Sequence, residues 1–201
     1  MPRNVNHEKK RKSIAEAAWN IIKKEGIEKA SIRRVAVEAG MSAGALRHYF
    51  STKDEMLLFI MDYYLEEGKK RSQSKSWSDN PLQAVAEVLL ELVPIDEEKK
   101  IETSVWWILA LQSLTSDTLK EKKDEMTNGM YELASSMIEI LVLQGILSDS
   151  TNVKLEKSRL AALIDGLSIH ALLRPDVYSQ EKVKEVIRYH LETLCNESQL
   201  S

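Results

Sequence analysis

Residues 31–53, SIRRVAVEAGMSAGALRHYFSTK, constrain this chain more than any other stretch. Their pattern predicts two short helices joined by a tight turn. Ser31 can open the first helix by accepting a hydrogen bond from a free backbone N–H. Ile32, Val35, Ala36 and Ala39 then form a narrow apolar stripe at helical spacing. Gly40 stands where that helix must stop, and glycine tolerates the left-handed backbone a helix end demands. Ser42 can cap the second helix, with Leu46 and Phe50, four apart, anchoring it inward. Ser42, Ala43, Gly44, Arg47, His48 and Tyr49 are left outward or at the margin. Small residues at the leading end permit close approach, and Arg, His and Tyr bring hydrogen-bonding groups. A helix entering a DNA major groove needs both.

The spacing is specific. A helix-turn-helix places a small residue in its first helix, glycine four residues later and a buried aliphatic six after that, here Ala36, Gly40 and Leu46. From Ile14 to about Leu57 the segment resembles the DNA-binding domain of the TetR family of bacterial repressors. Ser31, Val35, Ala36, Ala39, Gly40, Met41, Ser42, Gly44, Leu46, Tyr49, Phe50 and Lys53 carry the resemblance. The rest of the chain agrees in length and helical character. The resemblance implies that Ser42, Ala43, Gly44 and Arg47 lie nearest the base edges. Ser31, Arg33, Tyr49 and Lys53 would hold phosphates and fix register, and His48 could do either. Arg47 stands where the family commonly has Tyr, and Tyr49 where His is frequent.

Charge supports a polarised molecule. The whole chain carries −3, yet residues 1–71 hold 15 basic and 10 acidic residues, a net of +5, leaving −8 on the remainder. Such a distribution suits a protein presenting one end to phosphate. Seven Gly and four Pro among 201 residues are too few for the turns of a β fold, and 43% hydrophobic residues suffice for a core. An all-α chain is expected: an N-terminal three-helix helix-turn-helix domain over 1–52, a connecting fourth helix over 53–76, and a larger helical ligand-binding and dimerisation domain over 77–201. One cysteine, Cys195, excludes an internal disulfide. No apolar run approaches the ~20 residues of a membrane span. The start, MPRNVNHEKKRK, lacks the apolar stretch of a signal peptide, so a cytoplasmic protein is expected.

Along the chain, residues 1–6 read as a loose arm from which Arg3 could reach a minor groove. The first helix is expected from His7 to Glu25, and Lys9, Lys10, Arg11 and Lys12 in its opening turns would oppose the helix dipole. Thr52 and Glu55 form a capping box for the fourth helix. Residues 68–80 read as helix end plus linker. Asn80 and Pro81 start a fifth helix that Pro94 terminates. Further helices are expected over 98–115, 117–144 with Gly145 at the end, 153–173 and 179–195.

The second domain is expected to pair with a second copy and to hold a ligand. The TetR resemblance implies a homodimer built from the two C-terminal helices, with Ala161, Ser168, Ile169, Leu172, Val183, Ile187, Leu191 and Leu194 at the interface. A larger monomeric core is the plainer alternative. Trp106, Trp107, Met126, Met130, Tyr131, Met137 and His170 could line an effector cavity, since Met and Trp adapt to flat apolar molecules, and they could equally be plain core. Asp165, inside an apolar helix, could face a ligand, cap the chain near Gly166 or bond across a dimer interface. Catalysis finds little support: the four histidines are scattered without metal-ligand spacing, and phosphate loops and nucleophile elbows are absent. No cofactor or metal is implied. The sequence therefore points to a homodimeric repressor released from a near-palindromic DNA operator by a small-molecule effector. Two alternatives stand beside it. One is a ligand-independent architectural or activator DNA-binding protein, and the other is a helical scaffold or enzyme.

Overall fold

A computed structural model describes residues 2–195, with side chains at 8–116, 119 and 128–195. The side chains of Arg3 and Met126 lie outside the described residues. Nine α-helices are found among these residues: α1 Pro2–Glu25, α2 Ile32–Glu38, α3 Ala43–Arg47, α4 Lys53–Gln73, α5 Pro81–Leu90, α6 Glu97–Gln112, α7 Asp117–Leu143, α8 Val153–Leu173 and α9 Gln180–Glu192. A single 3-10 turn, Ile27–Lys29, follows α1. No helix among the described residues is long and apolar enough to cross a membrane.

Two compact units result. The first comprises Met1–Ser74 and Leu111–Lys120, the second Lys75–Ala110 and Glu121–Ser201. In the first, α1 buries Ile14, Ala18, Trp19 and Ile22, α4 buries Met56, Leu57 and Ile60, and Leu119 also lies in this core. The Trp19 indole stacks on Tyr64 at 4.1 Å.

Local chemistry fixes the helix ends. Ser31 accepts from the Arg34 N–H, Ser42 from that of Ala45, and Asn80 from that of Gln83 ahead of Pro81. Thr52 and Glu55 cap each other's backbone at the start of α4. Gly40, at φ +65°, closes α2: its N–H bonds the Val37 carbonyl at 3.1 Å, and the Met41 N–H bonds that of Ala36 at 2.8 Å. Gly145 ends α7 in the same way, with Ile146 bonding Leu141 at 3.0 Å.

Three expected boundaries move. Residues 2–6, expected as part of a loose arm, are helical: α1 starts at Pro2, and proline suits a first helical position. The basic run at residues 9–12 therefore sits beyond the first turn, where the dipole penalty has faded. Helix α4 ends at Gln73, inside the 68–80 stretch read as helix end plus linker and three residues short of the expected 76. Lys69–Glu66 and Lys70–Glu67 pairs brace that stretch, and basic residues suit a last turn. Helix α5 stops at Leu90, before Pro94, because a proline disfavours helix in the residue preceding it and supplies no N–H of its own.

The second unit has its own core. Val85 and Leu89 of α5, Ile138 and Leu141 of α7, Leu160, Ile164 and Leu167 of α8, and Val183, Ile187 and Leu191 of α9 form one apolar cluster. Among the described residues a single antiparallel bridge, Leu147 to Cys195, ties the segment after α9 to the α7–α8 connection.

Candidate nucleic-acid interface

The candidate interface grows from α2, the Gly40 turn and α3. Val35, Ala36, Leu46 and Phe50 are buried and hold the pair together. That burial turns Gly44, Arg47 and His48 to the exposed side, with Ala43 half-buried. A Cβ built on Gly44 meets only Ser42 Oγ, at 4.0 Å. The fold itself does not require glycine there, so the missing side chain opens the outer surface. Ser42 Oγ is occupied as an acceptor from Ala45 N–H at 3.1 Å, leaving its own O–H to donate.

The cations around α3 differ in how tightly they are held. Arg34 is clamped by both carboxylate oxygens of Glu25. That contact holds the Glu25 carboxyl below the usual range and lifts the Arg34 guanidinium above its own. Lys53, at the start of α4, has its ammonium 3.6 Å from Glu28 Oε2 and donates to the Glu28 carbonyl at 3.5 Å. Among the described residues, Arg33 and Arg47 have no carboxylate partner. Tyr49 is half-buried with its ring 6.4 Å from that of Phe50. Arg33 and Arg34 also border a groove of about 300 Å³ between α1 and α2, lined in part by Glu25 and Val37. None of the expected effector residues lies on it.

In the second unit, part of the expected effector set comes together. Trp106 and Trp107 of α6 pack edge to face at 4.8 Å. The Trp107 indole N–H donates to Ser168 Oγ at 3.0 Å, and Ser168 donates to the Asp165 carbonyl at 2.9 Å. Asp165 Oδ1 is buried without a partner among the described residues, and burial raises the carboxyl's pKa. Met130 is half-buried against the core. Met137 is buried in the apolar cluster of the second unit. His170 is exposed and stacks on Tyr178 at 5.0 Å.

The pairing face also changes. Val183, Ile187, Leu191 and Leu194 are at most 3% exposed within the single chain, because the one apolar side of α9 is spent on its own core. Ser168 is likewise buried, bonded to Trp107. Ala161, Ile169 and Leu172 stay half-buried on α8. Leu155, Leu173 and Tyr189 are apolar or aromatic and well exposed, at 63%, 68% and 69%.

Sequence reasoning missed several contacts. Glu28 on Lys53 is one. The Ser116 hydroxyl donating to Asp54 at 3.3 Å, beside Lys53, is another. Arg11 lying over the Phe59 ring is a third. Each joins residues far apart in sequence, where periodicity gives no signal.

Residues 14–60 match the family model for bacterial regulatory proteins of the tetR family, and residues 81–196 match that for the C-terminal domain of BetI-type transcriptional repressors. The HTH-type transcriptional regulator PksA of Bacillus subtilis (strain 168) is 39% identical over 198 residues, 98% of this chain and 95% of that protein. A transcriptional regulator from Rhodococcus sp. Rha1 superposes with a TM-score of 0.75 at 27% identity, covering 92% of this chain and 95% of its own. A regulator from Saccharomonospora viridis, solved in complex with choline, has a TM-score of 0.73 at 22% identity, covering 92% and 95% of the two chains.

Proposed function

The chain belongs to the TetR family of bacterial transcriptional regulators, and from that premise we propose that it is a homodimeric repressor released from its operator by a small-molecule effector. Members of this family are regulators that bind DNA and are not enzymes. The observation carrying the reading is the α3 surface. It pairs a bare glycine with an arginine that no carboxylate among the described residues neutralises, both on a helix fixed by Ser42 and Gly40. Two subunits would set their α3 helices in successive major grooves, about 34–36 Å apart. Selection of bound duplexes from a random pool by the purified protein tests this. An enriched inverted repeat with half-sites about one turn apart supports it, and salt-sensitive binding without enrichment would sink it.

Pairing is assigned to the exposed side of α8 and α9, through Leu155, Ala162, Ile169, Leu173 and Tyr189. Ala162 and Gly166 permit close helix approach there. Contact with phosphate falls to Ser31, Arg33, Tyr49 and Lys53. Glu28 competes with phosphate for the Lys53 ammonium. Glu28→Gln is therefore expected to tighten binding to all duplexes alike by up to about fivefold, the scale of an exposed ion pair. Lys53→Ala should weaken all of them and flatten the salt dependence. Anisotropy titrations on operator and scrambled duplexes, across a salt series, read both.

The effector is assigned to the surroundings of Trp106, Trp107 and Asp165. Indole faces and a desolvated carboxylate favour an organic cation, and choline, found in the Saccharomonospora viridis neighbour, is a sensible first probe. Helix α6 carries both tryptophans, and the turn after it holds Asp54 through Ser116. The effector would favour the form of the dimer whose α3 pair is mis-spaced for the operator. Coupling of about 1–3 kcal/mol is typical.

Asp165→Asn gives the check. With its buried charge removed, the folded protein should melt a few degrees higher at pH 7. Release from the operator by cationic compounds should be lost. Unchanged melting together with unchanged release would remove Asp165 from the site.

A further inference from the structure

The exposed guanidinium of Arg11, in the N-terminal half of α1, lies over the Phe59 ring of α4, 4.6 Å from its centroid. Phe59 in turn packs on Phe50 at 5.0 Å, and Phe50 is the buried residue that closes the recognition segment two positions beyond His48. A short stack of side chains thus ties the basic run of α1 to the end of α3, all within the first unit. Among the described residues no carboxylate pairs with Arg11. A guanidinium donates hydrogen bonds through its edges, and among the described residues the Arg11 side chain makes no hydrogen bond, so its N–H fork is available. The fork suits the paired oxygens of a phosphate.

We infer that Arg11 is a further DNA-backbone contact, binding a phosphodiester beside the half-site, and that Phe59 is its positioning residue. The inference rests on the reading of α3 as the recognition helix. The stack holds a long side chain in one orientation before DNA arrives, which lowers the entropy lost on binding. It also sets the reach of Arg11 from Phe50, and hence from Arg47, so that one phosphate and one base pair are engaged in fixed register.

The test uses the full chain and a duplex enriched by selection, titrated across a salt series. Arg11→Ala should weaken binding by at least about tenfold, as the loss of one charge-assisted contact does. It should also lower the slope of log K against log salt by about 0.9 and leave base preference unchanged. Phe59→Leu should weaken binding severalfold with the slope retained, since the charge remains. Phe59→Tyr, which keeps the ring, should bind like wild type. In an Arg11→Ala background, Phe59→Leu should cost almost nothing further. An equal cost in both backgrounds would make Phe59 merely structural and overturn its role. Wild-type affinity and slope in Arg11→Ala would overturn the contact while leaving the repressor reading intact. Failure of the wild-type protein to enrich any duplex would instead overturn the DNA reading itself, and this inference with it.

Discussion

Arg47→Ala is expected to cost roughly 1–3 kcal/mol of operator binding, a factor of about 5 to 150, and to relax preference at one base pair per half-site. Arg47 is the last residue of α3, exposed, and unpaired among the described residues. It differs in this from Arg34, whose donors are taken by Glu25. Two in-plane donors match the O6 and N7 acceptors of guanine in the major groove, and no other side chain on the exposed face of α3 offers a comparable fork. The loss should therefore depend on sequence, unlike that expected of Lys53→Ala. Parallel selections with wild type and variant read the difference. An identical enriched motif with identical affinity would move Arg47 off the base edges and leave His48 and Ser42 to carry the readout. Arg47→Lys is the finer control: it keeps the charge and removes the fork, so the salt slope should stay while discrimination falls.

Much of the first unit was legible because its determinants act within one helical turn. Ser31, Ser42 and the Thr52–Glu55 pair each act on a backbone group three residues away. Gly40 and Gly145 mark helix ends where only a left-handed residue serves. The contacts around the proposed sites are different in kind. Lys53 meets Glu28 across 25 residues and Trp107 meets Ser168 across 61, distances over which periodicity carries no information. Helix α9 shows the same limit. Val183, Ile187 and Leu191 mark its apolar side plainly, and amphipathicity says that this side is covered without saying by what. Here the subunit's own core covers it. The helix over residues 2–6 is not legible, because a helix continuing into a polar, charged N-terminus has no apolar stripe to announce it.

His190 gives the largest expected effect on stability. It lies on α9, 9% exposed, with Nε2 lacking a partner among the described residues. Burial, aided by the charge of Arg159 on α8, pushes its pKa down to about 4. Arg159 is itself paired with Glu156 at 2.8 Å. In the unfolded chain the imidazole takes a proton near its ordinary value of 6.5. Above that pH both states hold it neutral and the folded protein keeps its full stability. As pH falls from 6.5 towards 4, only the unfolded state gains the proton, so stability drops. The total is about 3 kcal/mol, at roughly 1.4 kcal/mol per unit of displacement, and the loss levels off once the folded state also protonates. His190→Leu fills the site with an apolar group that cannot titrate. Urea unfolding at pH 7.5 and pH 4 should then show wild type losing about 3 kcal/mol more than the variant over that interval. Parallel losses in the two proteins would mean that His190 is charged in the folded state and that water or a carboxylate reaches Nε2.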